Sequence, residues 1–305
     1  MSVKVRVPGK VNLALRVGAR REDGYHELAT IFQAVSLYDE VEASLGEGVT
    51  CEMLGTQAHL VQVGDNNLAV RAACLLAERF NVTDGVHLVI DKRIPVAGGM
   101  AGGSADAAAA LLACARLWGV DASFEDLVSL GATLGADVPF ALMGGCALGQ
   151  GRGEVLTPVL SRGTYSWVLA FAHQGLSTPA VFRTLDDMQE RVPESMRLAS
   201  HPPMPADVMR ALTTGDPTIL APTLVNDLHA PALALAPSLA TTIRAGQEAG
   251  ALAALLSGSG PTIAFLVSDE YAATDLAVNL SSQGVAREVR VVSGPVSGAT
   301  VIEEK

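Results

Sequence analysis

At 305 residues, 49% of them apolar, the chain can bury two cores of ordinary size, which excludes a disordered or low-complexity protein. A net charge of −11 with a pI near 5.0 excludes a broad positive surface, so neither nucleic acid nor an anionic membrane is expected as a partner. Any anion this chain binds must be caught locally.

Val3, Val5 and Val7 alternate with Lys4 and Arg6, and Val11, Leu13, Leu15 and Val17 alternate again, which predicts two strands joined by a tight turn at Pro8-Gly9. Lys10 and Asn12 lie two residues apart in that second strand, so a cation and an amide leave the same face. A polar loop, 18–27, leads to strand-like runs at 28–37 and 40–45. A helix over 67–80 follows, capped by Asp65 or Asn66.

Val86, Leu88 and Ile90 form a strand that feeds Pro95-Val-Ala-Gly-Gly-Met-Ala-Gly-Gly-Ser-Ala-Asp-Ala-Ala108, a loop with almost no side chains opening a helix over 104–118. With Gly98, Gly99, Gly102 and Gly103 lacking Cβ, successive N–H groups can turn toward one anion, and the helix adds about half a unit of positive charge. Ser104 and Asp106 supply oxygens suited to a cap or a metal. Ser123 opens a shorter helix with capping-box spacing to Asp126. Asp137 is an acid in an otherwise apolar run, a position that calls for a cation or a ligand hydroxyl beside it, with Lys10 the candidate and a helix cap the alternative. The two common phosphate schemes are excluded. The only Gly-Lys pair, Gly9-Lys10, has Lys4 where a P-loop needs glycine and Val11 where it needs a hydroxyl, and no Gly-x-Gly-x-x-Gly occurs.

A strand over 167–172 opens a second domain, with the boundary placed near residue 155. Six prolines between Pro193 and Pro222 predict a surface connection holding a short helix. Beyond it a helix over 239–250, a strand, the turn Ser257-Gly-Ser-Gly-Pro-Thr262, a second strand, a helix over 270–283 and final strands complete an α+β chain. That turn breaks the uncharged stretch 249–268, so no membrane span is expected. Cys51, Cys74, Cys114 and Cys146 are spaced as reduced core thiols, and no secretory signal is evident, so a cytoplasmic protein is expected.

Pro8-Gly9-Lys10-Val-Asn12-Leu, the loop from Pro95 to Ala108 and Ser257-Gly-Ser-Gly-Pro-Thr262, in that order across the whole chain, resemble the three motifs of the GHMP small-molecule kinases. Gly24-Tyr25-His26-Glu27-Leu28, Asp65-Asn-Asn67-Leu, Gly135-Ala-Asp137-Val-Pro-Phe140 and Asn226-Asp227-Leu228 narrow the resemblance to members acting on a cytidine-diphosphate-linked methylerythritol. The resemblance implies a two-domain α+β fold, 1–155 and 156–305, the first domain like domain 2 of ribosomal protein S5. It implies ATP and Mg²⁺ as cofactors, a small-molecule substrate phosphorylated on its 2-hydroxyl, and a monomer or homodimer. By similarity Lys10 and Asp137 are the catalytic pair. Asn12 holds the substrate, Tyr25 and Phe182 stack the cytosine, His26 reads its edge, and Thr178 is a further contact. The same similarity brings Asn67, Lys92, Arg93 and the segment Pro95, Val96, Ala97, Gly98, Gly99, Met100, Ala101, Gly102, Gly103, Ser104 and Ala105 to ATP, with Ser104 as metal ligand. Ala97 and Ala101 stand where the family more often has glycine, which demands negative φ at both, and Ala105 replaces a common serine. The alternatives are a homoserine-type or mevalonate-type member of the family, or a nucleotide sensor without catalysis.

Overall fold

The computed structural model describes residues 1–305. The first motif is not a turn: β1 (Ser2–Arg20) runs straight through Pro8-Gly9 and pairs along its length with β2 (His26–Gly46). Proline has no N–H to give a ladder, and the strands absorb it as a bulge, with Pro8 opposite Tyr38 but Gly9 opposite Val35. One long strand therefore carries Lys10 and Asn12.

β3 (Val49–Leu54) is followed by α1 (Leu68–Phe80), whose cap is Asn67 rather than Asp65 or Asn66: its side chain accepts from Ala69 N. β4 (Gly85–Asp91) pairs parallel with β3 and leads through the glycine loop to α2 (Gly102–Leu117). Eleven of the sixteen residues of α2 are buried, the alanines letting it lie close against both α1 and the sheet. α3 (Phe124–Leu134) has the expected capping box between Ser123 and Asp126, and α4 (Val138–Met143) begins immediately after Asp137.

β5 (Cys146–Gln150) and β6 (Val155–Pro158) close one end of the first sheet. β7 (Tyr165–Phe171) starts a second sheet, and α5 (Thr178–Glu190) follows it. The proline-rich segment is more than a surface connection. It holds two short helices, α6 (Ala206–Leu212) and α7 (Pro217–Leu220), whose Val208, Ala211, Leu212 and Leu220 belong to the larger core. β8 (Val225–Asn226), α8 (His229–Leu235), α9 (Ser238–Glu248), β9 (Ala253–Leu256), β10 (Ile263–Val267), α10 (Glu270–Gln283), β11 (Glu288–Gly294) and β12 (Thr300–Glu304) complete the chain.

Two sheets result. The first has eight strands, ordered β12-β1-β2-β4-β3 with β5, β6 and β8 attached; the second is β11-β7-β10-β9. β8 and β12 return to flank β1, so the end of the chain is stitched into the sheet that begins it. Leu88, Ile90, Leu111 and Leu13 are fully buried in the larger core, each worth roughly 1.5–3 kcal/mol of transfer free energy. All four cysteines are free, but only Cys114 and Cys146 are core thiols; Cys51 is half-buried and Cys74 exposed, on the outward side of α1. No helix is long and apolar enough to cross a membrane.

Candidate active site

The three motifs meet at one atom, the carbonyl oxygen of Gly99. Lys10 Nζ donates to it at 2.9 Å and Ser257 Oγ at 3.1 Å, while Lys10 N donates to Met100 O at 3.3 Å. Glycine is obligatory at two points of this junction. At Gly99, φ is +75° and a Cβ would come within 2.2 Å of Ser257 O; at Gly258, φ is +57° and a Cβ would press on Gly99 O at 3.0 Å and Lys10 Nζ at 3.1 Å. Asn226 fixes the third motif from behind, its amide donating to Leu256 O and Gly258 O.

Above this junction opens a cleft of about 1070 Å³, slightly larger than the roughly 300–1,000 Å³ typical of a small-molecule site. Pro95, Val96, Ala97, Gly98, Gly99, Ala101, Gly102, Gly103 and Ser104 line one wall. α2 starts from Ala101 with no side-chain cap, so its first N–H groups are left for a ligand. Ser104 and Asp106 therefore do not cap the helix. Gln57 braces the loop by accepting from Val96 N at 2.8 Å. Ala97 and Ala101 have φ of +52° and +60°, not the negative values expected, so each methyl sits in left-handed backbone at about 1–2 kcal/mol.

Lys10 is 6% exposed, and its Nζ also donates to Asn12 Oδ1 at 2.7 Å, above the ring of Phe32. Asn12 Nδ2 donates to Thr30 Oγ1, which donates to Ala14 O, so one chain of bonds fixes the ammonium. Thr30, which also lines the cleft, is the functional residue the motifs missed; its only signal was a hydroxyl inside an apolar strand. Burial lowers the Lys10 pKa, and the charge of Asp137 works against that fall. Asp137 is half-buried, lines the same cleft and makes no capping bond to α4. It acts on Lys10 as a through-space charge, while the ammonium gives two of its three hydrogens to Asn12 Oδ1 and Gly99 O and leaves the third unengaged.

Lys92 reaches the cleft wall, but its Nζ is held between Asp39 at 2.5 Å and Asp106 at 2.9 Å. Burial opposes its charge, and those two carboxylates outweigh burial and raise its pKa. Burial likewise raises the Asp106 carboxyl well above the usual range, and Asp106 Oδ1 is buried with no partner. Asp39 also accepts from Arg93 N and Ile94 N, so this cluster anchors the strand end that launches the glycine loop. Four nucleotide-site expectations do not reach the cleft. Asn67 spends its side chain on α1 and on Gln62 O, Arg93 turns its side chain to Asp91, Met100 packs in the core, and Ala105 is buried.

The other end of the cleft is aromatic. Tyr25 is 56% exposed under the guanidinium of Arg152, ring centroid to Cζ 5.1 Å. Phe182, half-buried on α5, packs on His26 with centroids 5.1 Å apart. His26 is buried, with Nδ1 2.9 Å from Gly18 O and Nε2 3.3 Å from Asp186 Oδ1. Thr178 shares a 2.7 Å hydrogen bond with Ser259 of the third motif.

Residues 67–145 match the family model for the GHMP kinase N-terminal domain, and residues 208–286 that for the C-terminal domain. The 4-diphosphocytidyl-2-C-methyl-D-erythritol kinase of Mycobacterium tuberculosis is 54% identical over 301 residues, covering 99% of this chain and 93% of that one. The kinase of the same name from Clavibacter michiganensis is 51% identical, covering 98% and 96%. A crystal structure of 4-(cytidine 5'-diphospho)-2C-methyl-D-erythritol kinase superposes with a TM-score of 0.76 at 34% identity, over 95% of this chain and 98% of that one. A homoserine kinase from Cytophaga hutchinsonii superposes at 0.74 but only 20% identity, over 99% and 97%, and shares the fold alone.

Proposed function

The chain belongs to the GHMP kinases, and we propose that it moves the γ-phosphoryl group of ATP to the 2-hydroxyl of 4-diphosphocytidyl-2-C-methyl-D-erythritol, in the non-mevalonate route to isoprenoid precursors. One observation carries the assignment of roles: a single cleft is lined by an uncapped helix start, by aromatic rings, and by Lys10 and Asp137 close enough for each to feel the other's charge. The cleft runs along the join of segments 1–155 and 156–305, which we take as the two domains. Four free thiols fit a reducing cytoplasm.

The triphosphate lies along the glycine loop, where the first N–H groups of α2 face its oxygens. Phosphoryl transfer runs through a loose transition state, so the acceptor hydroxyl needs placement more than prior ionisation. An alcohol is about as weak an acid as water, so a carboxylate cannot ionise it beforehand. Asp137 therefore orients the hydroxyl and takes its proton late, as the new P–O bond forms. Lys10 donates to the moving phosphoryl oxygens. Held by neutral oxygens and not by Asp137, it keeps its charge available for them. One such donor is worth roughly 2.7–4 kcal/mol.

The residues present fit Mg²⁺: Ser104 Oγ and the unpartnered Asp106 Oδ1 are hard oxygen donors on the first turns of α2, and Mg²⁺ in such sites takes one or two protein oxygens with substrate phosphates and water. The ion would neutralise charge on the β- and γ-phosphates.

ADP release, followed with the cytidylyl-methylerythritol substrate, homoserine and mevalonate in parallel, tests the proposal. Turnover with the first alone is expected. Comparable kcat/KM on either other alcohol overturns it.

A further inference from the structure

The aromatic end of the cleft holds a hydrogen-bonding group that none of the motifs includes. His26 engages Gly18 O through Nδ1, and its Nε2 lies 3.3 Å from Asp186 Oδ1, so a carboxylate already faces the one ring nitrogen left for a base. Asp186 is differently placed. It lies one helical turn after Phe182 on α5, on the same face, lines the cleft, and its side chain is 21% exposed. Its Oδ1 faces His26. Its Oδ2 is 3.8 Å from Arg20 Nη1, an ion-pair separation too long for a hydrogen bond, and Arg20 is largely solvated. Oδ2, with Arg20 no nearer than that, keeps acceptor capacity in the stretch of cleft lining that Asp186 shares with Phe182.

A carboxylate only accepts. Cytosine offers an exocyclic amino donor where uracil offers a carbonyl oxygen, so the two pyrimidines differ at the atom an acceptor can test. We propose that Asp186 selects cytosine over uracil, its free carboxylate oxygen accepting from the amino group of a base stacked beside Phe182. The proposal rests on the functional reading above, in that the substrate's base occupies this end. The aromatic pair supplies stacking, which every pyrimidine satisfies equally. Discrimination has to come from a polar group in a set position, and α5 together with the buried His26 beside it sets this one. Loss of a charge-assisted bond together with lone-pair repulsion gives a preference on the order of 10²-fold, short of what fully buried readers reach, because water still has access to Asp186.

The test compares kcat/KM for the cytidine-linked substrate and its uridine counterpart in the parent enzyme, Asp186→Asn and Asp186→Glu, with KM for ATP as a reporter of intact fold. The parent should prefer cytidine about 10²-fold. Asp186→Asn, whose amide can turn to donate, should bring the two within about tenfold, partly through a gain on uridine, while Asp186→Glu, which keeps an acceptor, should retain most of the preference. Equal loss on both substrates with the ratio unchanged is what a purely structural role gives, and it overturns the proposal, as does a parent indifferent to the base. A parent that leaves the cytidine substrate untouched overturns the functional reading instead, so the two failures are distinct.

Discussion

Substituting Gly99 by alanine is the sharpest test of the junction at the centre of the cleft. The left-handed backbone at Gly99 is not prohibitive, since Ala97 and Ala101 adopt it in the same loop at about 1–2 kcal/mol each. What separates Gly99 is its surroundings: a Cβ there would lie 2.2 Å from Ser257 O and 2.9 Å from Gly260 O, both backbone atoms without a side chain's freedom to swing away. The loop or the third motif must move, and Gly99 O then loses the Lys10 ammonium, a charge-assisted bond worth about 1.5–3 kcal/mol, and the Ser257 hydroxyl, worth about 0.5–1.5 kcal/mol. With the conformational term the total reaches roughly 3–6 kcal/mol. Thermal unfolding should show a midpoint lower by several degrees, and steady-state kinetics a KM for ATP raised more than about tenfold with kcat reduced, since Lys10 loses its seat. Ala101→Gly is the matched control. It relieves left-handed strain but gives the unfolded chain more freedom, so its net effect is between zero and about 1 kcal/mol of added stability. A Gly99→Ala enzyme whose ATP KM and unfolding midpoint match the parent's would show that the three motifs do not depend on one another through this carbonyl, and the argument would fail.

Other outcomes follow from the same geometry. Thr30→Val keeps the shape of the strand but leaves the Asn12 amide without its acceptor, so kcat/KM should fall about tenfold or more through looser placement of Lys10; an unchanged kcat/KM would make the chain of bonds irrelevant to catalysis. Asp137→Asn should lower kcat by orders of magnitude with a modest change in ATP KM, and unaltered turnover removes Asp137 from its role. Because burial lowers the Lys10 pKa and Asp137 partly restores it, the alkaline limb of the kcat/KM profile should lie below that of an ordinary lysine, and in the residual activity of Asp137→Asn it should move to still lower pH; a shift upward would contradict the charge coupling. The sign for stability is opposite. The unfolded chain holds this proton to higher pH than the fold does, so Lys10 contributes increasing stability as pH climbs through its lowered folded pKa toward its unfolded value.

The glycine loop and the helix it opens were readable because their chemistry is carried by backbone: absence of side chains at Gly98, Gly99, Gly102 and Gly103 is visible in the sequence and means the same thing in three dimensions. The pairing of Lys10 with Asn12 was readable because a strand has a period of two. Pro8-Gly9 was misread because dipeptide turn chemistry is a local preference, and here a long ladder with β2 overrides it by bulging. Negative φ at Ala97 and Ala101 was misjudged for the reverse reason: the cradle needs left-handed backbone at those points, and the chain tolerates two strained methyls to have it. Pairwise polar contacts between distant segments were not legible at all. Lys92 is the clearest example: the family resemblance brings it to ATP, and only the arrival of Asp39 from β2 and Asp106 from α2 shows that its charge is already committed.

That commitment leaves Lys10 as the uncommitted ammonium lining the cleft. If Lys92 were unpaired beside the glycine loop, two ammonium groups and a helix N-terminus would bind the departing ADP as firmly as the triphosphate, and tight ground-state binding of that kind does not speed the chemical step. With Lys92 neutralised between two carboxylates, the cleft is left with backbone N–H groups along the loop and one ammonium at the point of transfer. Lys92 then serves by position: it ties Asp39, and through Asp39 the Arg93 and Ile94 amides, to the first turns of α2, holding the loop taut from both ends. Its loss should therefore act on loop order and thermal stability before it acts on phosphate affinity, the reverse of what the family resemblance implies.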